Sequence, residues 1–89
     1  MEFNNINELK DRLMPALRSK LKELHLNKMK YITEDDVWQY LKENKWNNEE
    51  GLTLSMMVDD ILNINNYIID DYVRERIINE RIETSNEIL

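Results

Sequence analysis

Leu9, Leu13, Leu17, Leu21 and Leu24 recur at intervals of four, four, four and three. That spacing places them along one side of a helix. Pro15 falls inside the stripe, where it removes a backbone donor and crowds the carbonyl four residues earlier. Either the helix kinks there, or a short lead-in ends at Met14 and the main helix starts with Pro15 in its first turn. Arg18 and Lys22 sit one turn apart on the side away from the leucines, and the helix ends near Leu26–Lys28.

A second helix is signposted by Thr33, a capping residue, with Asp36 three positions on to complete a capping box. Ile32 and Val37 are spaced to staple its entry. Glu34, Asp35 and Asp36 favour the positive end of the helix dipole, and Lys42 and Lys45 fall near the negative end. At about 100° per residue, Val37, Trp38 and Leu41 share a face, with Tyr40 on its flank. Trp38 is therefore expected in the core. Trp46 lies past the last turn, where it either closes over the edge of the core or anchors a partner.

"NNEEG" at 47–51 is the strongest breaker in a chain with one Gly and one Pro. A third helix is expected over about 53–63, with Leu54, Met57, Val58, Ile61 and Leu62 in one stripe. Met56 and the pair Asp59–Asp60 point elsewhere. The last helix, about 66–83, has Asn65 or Asn66 at its start and two apolar strips. Ile69, Val73 and Ile77 line one; Ile68, Tyr72, Ile78 and Ile82 lean toward another. A helix apolar on two sides is either deeply buried or shared with another chain. The pattern predicts an all-α fold, a single domain over residues 1–89 with three to four short helices around one core. Leu17, Leu21, Val37, Trp38, Leu41, Val58, Ile61 and Leu62 are its expected anchors.

Composition agrees with this picture: 42% hydrophobic and 34% charged residues are those of an ordinary globular chain. No apolar run reaches membrane-spanning length and no signal sequence opens the chain, so the cytoplasm is the expected location. Charge adds a polarity. Residues 1–45 hold nine Lys/Arg against eight Asp/Glu, and residues 46–89 hold three against ten. Within residues 10–30 the balance is seven basic to two acidic. A basic first helix and an acidic back half can steer an encounter, although such faces also serve simply as solvent cover.

Candidate chemistry is sparse. The chain has no Cys and a single His, His25, which excludes disulfides, thiolate metal sites and His pairs. The doublets Asp35–Asp36, Glu49–Glu50, Asp59–Asp60 and Asp70–Asp71 diverge by about 100° on a helix, follow no calcium-loop pattern, and read as solvated faces. Gly51 cannot by itself build a phosphate loop. No catalytic set, metal or cofactor is expected, and the chain is not expected to be an enzyme.

Two binding surfaces remain. The second and third helices make a poor helix-turn-helix, because their connection is long and the would-be recognition helix carries Asp59 and Asp60 without a basic residue. If RNA is contacted, the first helix and its exit are the better candidates, through Arg18, Lys20, Lys22, Lys28 and Lys30, with Tyr31 near for stacking. A protein partner would meet Trp46, Met56, Ile68, Tyr72, Ile78 and Ile82.

The strings "LMPALRSKLKELHL", "ITEDDVWQYLKENKW" and "LSMMVDDILNI" resemble the ComN-like family, small post-transcriptional regulators of low-G+C Gram-positive bacteria. The matching positions are Pro15, Ala16, Leu17, Lys20 and Leu21; then Thr33, Asp36, Val37, Trp38, Leu41 and Trp46; then Val58, Asp60, Ile61 and Leu62. The resemblance covers about residues 9–64. Beyond it the family's Asp-Tyr-Met-rich ending has only Asp71-Tyr72-Val73 as its nearest match. What it implies is a non-enzymatic regulator of competence transcripts, recruited to division sites or poles by the coiled-coil scaffold DivIVA. The expected function is a protein-binding adaptor whose partner is such a scaffold or a second copy, as a homodimer; direct RNA binding is the alternative.

Overall fold

The leucine stripe folds as one uninterrupted helix. The computed structural model describes the backbone of residues 6–88 and the side chains of residues 7–80, Asn48 excepted. Helix α1 (Ile6–Leu26) contains Pro15 on its exposed side and continues through it. Leu13 and Leu17, which flank the proline, are wholly buried, as is Leu24. Packing on both sides thus outweighs the donor lost at Pro15: the helix passes through it, and the separate lead-in ending at Met14 is not formed.

The exit of α1 is a Schellman turn. Met29 N–H reaches back to Leu24 O at 3.0 Å and Lys28 N–H to His25 O at 3.1 Å. Lys28 takes the left-handed conformation this requires, with φ 69°. Leu24 and Met29, the pair whose apolar contact usually closes such a turn, both join the core.

Helix α2 (Glu34–Asn44) starts with the expected capping box. Thr33 N–H donates to Asp36 Oδ2 at 2.9 Å, and Asp36 N–H donates to Thr33 Oγ1 at 3.3 Å. Ile32 and Val37, at staple spacing, are both buried. A 3-10 turn at Trp46–Asn48 follows, and Gly51, at φ 71°, reverses the chain in a conformation that suits a residue without Cβ. Thr53 caps helix α3 (Leu54–Leu62) by accepting from Met56 N–H at 3.1 Å. Asn65 then caps helix α4 (Asn66–Ile88), its Oδ1 accepting from Tyr67 N–H at 2.9 Å and Ile68 N–H at 3.3 Å. The helix runs past the expected end near 83, since neither Gly nor Pro follows Gly51 to stop it.

Among the described residues the elements are all α-helical apart from that short turn. Helix α1 packs on α2 and α3, and α2 packs on α3 and α4. Leu17, Val37, Trp38, Leu41 and Ile61 lie in the core, with Leu21 and Val58 half-buried against it. Leu62 departs from the expectation, since it is exposed at 42%. On a helix of nine residues the buried line is Met57 and Ile61, four apart. Leu62 is rotated about 100° from Ile61, which turns it out to solvent.

Trp38 and Trp46 meet edge to face, with ring centroids 5.8 Å apart and planes at 71°. Both are buried. Trp46 is therefore a lid on the core, and it is corrected from the candidate partner surface.

Candidate binding surfaces at the ends of α1 and α4

The left-handed turn at Lys28 sends the chain back alongside α1. His25 holds it there: its Nε2 lies 2.9 Å from Ile32 O and donates to that carbonyl. Lys30 is consequently brought across from Arg18 and Lys22, which stand one turn apart on α1. The result is an open hollow of about 470 Å³ lined by Arg18, Leu21, Lys22, His25, Leu26, Lys30 and Glu34. Leu21 and Leu26 supply the apolar lining, and Leu26 is 76% exposed.

Pairing sets this rim apart. Lys10 is bonded to Asp35, Arg12 lies 3.7 Å from Glu8, and Lys45 lies 2.8 Å from Asp60. Arg74 meets Asp70 at 3.1 Å and Arg76 meets Asp36 at 3.4 Å, while the Lys42 ammonium stands 5.7 Å above the Trp38 ring. Among the described residues, only Arg18, Lys22, Lys28 and Lys30 are cations without a carboxylate, carbonyl or ring as partner. All four fall between residues 18 and 30, and all but Lys28 line the hollow.

Two of the expected RNA contacts are corrected. Lys20 is two residues, about 200°, around α1 from Arg18 and is buried on the other side. Its Nζ donates to Glu23 Oε2 and to Ile64 O, both at 2.8 Å, tying α1 to the connection between α3 and α4. That hydrogen bond from Lys20, with a second from Asn66, holds the Glu23 carboxyl below its usual range. Tyr31 is also occupied: Arg74 Nε donates to its hydroxyl at 3.1 Å, and the guanidinium lies 5.8 Å over its ring.

The second surface is on α4. Ile69 and Val73 are buried against the body, whereas Ile68 and Ile78 are 50% and 55% exposed. Ile78, Ile77, Tyr31 and Arg74 line a mainly apolar hollow of about 240 Å³. Met56, on α3, is exposed. Tyr72 is not open to a partner: its hydroxyl donates to Glu43 Oε2 at 2.9 Å and its ring meets Tyr40 edge-on at 5.2 Å. Burial, then the Glu43 carboxylate, push the Tyr72 phenol above its usual range. The side chain of Ile82 lies outside the described residues.

One member of each of three acidic doublets departs from the expected solvated face, while Glu49 and Glu50 are both exposed. Asp60 accepts from Trp46 Nε1–H at 2.9 Å and from Lys45 Nζ at 2.8 Å. Burial works against its charge, but these two donors prevail and hold its pKa below the ordinary value. Asp70 is buried too, and Asp36 serves both the cap and Arg76. No group of three or more His, Cys, Asp or Glu among the described residues is placed to hold a metal ion. No helix among them is long and apolar enough to cross a membrane.

No curated protein and no solved structure matches the chain. A family model does, over residues 6–85, which extends the likeness through α4 well beyond residue 64. Its description is "Post-transcriptional regulator", and the chain, matched over nearly its whole length, belongs to that family.

Proposed function

We propose that this regulator is a non-enzymatic adaptor that binds a helical segment of a protein partner along the outer side of α4. The observation that carries the reading is Ile78: more than half exposed, it borders an apolar hollow shared with Ile77, Tyr31 and Arg74. Ile69 and Val73 hold the opposite side of the helix against the body, so α4 is fixed while Ile68 and Ile78 on its outer side are exposed. The hollow has room for one or two aliphatic side chains, the kind of anchor an amphipathic helix presents.

The partner this reading favours is a coiled coil of the DivIVA type, in keeping with the family resemblance. Recruitment of the regulator to septum or poles, and its action on competence transcripts, would follow from that contact. A photoreactive residue at position 78, with position 59 as control, tests it in the full chain. Crosslinking to the purified scaffold from 78 and not from 59 is the expected result; no crosslink, or equal crosslinking from both, would remove its basis. Sedimentation of the chain alone separates the self-associating case, in which the strip would be covered by a second copy.

A further inference from the structure

We propose that the hollow at the end of α1 binds single-stranded RNA through its phosphodiester backbone, with Arg18, Lys22 and Lys30 as the phosphate contacts. The formal net charge is −6, and the chain has eighteen acidic side chains against twelve basic ones. In such a chain an unpaired cation is the exception, because carboxylates to neutralise it are in excess. Yet the unpaired cations among the described residues gather at one place, three of them around a single concavity.

Local structure holds them in position. Arg18 and Lys22 are i,i+4 neighbours, about 5–6 Å apart at Cβ. Lys30 is held opposite by the Lys28 turn and the hydrogen bond from His25 to Ile32 O, so the rim is organised before any ligand arrives. Glu34 is the one carboxylate on the rim, set against three unpaired cations. Leu21, Leu26 and the His25 ring offer apolar surface between the charges against which a base can lie.

An acidic amphipathic helix is the other polyanion to consider. Such a helix docks by anchors repeating over two turns or more, whereas the apolar lining here is two leucines at the very end of α1. A flexible strand carrying one charge per nucleotide fits a short, cation-rimmed hollow better. Membership of a post-transcriptional regulator family makes a message the polyanion at hand. The hollow shares no lining residue with the one on α4, so this proposal does not rest on the adaptor reading and fails independently of it.

The test is titration of a labelled mixed-sequence oligoribonucleotide with the full chain over a range of salt. Three phosphate contacts predict that log K falls against log salt with a slope of roughly −2, at about −0.7 per contact for a single strand. Two doubly neutralised variants with the same net charge are compared. Arg18→Gln/Lys22→Gln should weaken binding about tenfold or more and bring the slope to roughly −0.7. Arg12→Gln/Lys42→Gln, which removes partnered cations, should change it by less than about threefold. All four side chains lie at the surface or half-buried, and circular dichroism checks that both variants keep the parent fold. The salt slope of the unaltered chain needs no variant. No salt-dependent binding, equal loss in the two variants, or tighter binding of a polyglutamate peptide than of RNA would overturn the proposal.

Discussion

Trp46 donates its indole proton to Asp60 Oδ2 at 2.9 Å, joining the turn that follows α2 to the last turn of α3. The same carboxylate takes Lys45 on its other oxygen at 2.8 Å, so one side chain clamps two consecutive residues. Asp60→Ala leaves the buried indole N–H without an acceptor. The expected cost is about 1–3 kcal/mol in urea unfolding. Trp46→Phe, which removes the donor but keeps an edge for Trp38, should cost less than the double variant Asp60→Ala/Trp46→Ala, which also loses the ring.

Acid should loosen this clamp. Asp60 and Glu23 both have folded-state pKa values below their ordinary ones. A depressed carboxylate stabilises the fold fully above its unfolded pKa, about 4 for these groups. The contribution is lost as pH falls through the lower, folded value. The melting temperature is therefore expected to hold from neutrality to about pH 5 and to decline below about pH 4. Asp60→Asn should flatten that decline; an unchanged acid limb would mean Asp60 does not contribute to it.

Lys20 is expected to act on stability and not on RNA. Removing its ammonium in Lys20→Met keeps most of the apolar stem but leaves Ile64 O without its donor. A loss of about 1–3 kcal/mol is expected for the orphaned carbonyl. Glu23 is half-exposed and can turn to water, so it adds little. Unfolding curves measure the loss, and parent-like RNA binding by the folded variant accompanies it.

Lys28 is held where glycine is usually found, at φ 69° closing the Schellman turn. Its side chain has no partner in the described chain, so Lys28→Gly relieves backbone strain without breaking a contact. The expected gain is about 1 kcal/mol, set by the left-handed penalty of a residue with a Cβ. Thermal melting would rise by roughly 4–8 °C for a domain of this size. A lower melting temperature would show that the turn is not strained.

Most helix boundaries were legible in the sequence because their signals are local. Thr33 with Asp36, Thr53 and Asn65 each bond to a backbone N–H within three residues, and a window of the sequence contains both partners. The leucine stripe likewise reads its own burial. What could not be read was the fate of polar side chains whose partners are distant. Lys20 finds Ile64 O across 44 positions, Arg74 finds Tyr31 across 43, and Trp46 finds Asp60 across 14. Tertiary packing alone decides those meetings, so two of the expected RNA contacts, Lys20 and Tyr31, and two members of the expected partner surface, Trp46 and Tyr72, proved to be internal ties. The hollow at α1 depended on a lysine adopting a left-handed turn, which a Gly at position 28 would have announced and Lys28 conceals.

The contact proposed for the outer strip of α4 is tested most directly by calorimetric titration of the full chain with a purified DivIVA-type coiled coil. Ile78 carries the reading, and Ile78→Lys places a charge at the border of the apolar hollow. We expect the parent to bind and the variant, with unchanged helicity and melting, to bind at least about tenfold more weakly, a loss near 1.4 kcal/mol. Equal affinity of parent and variant, or no binding by the parent, would contradict it.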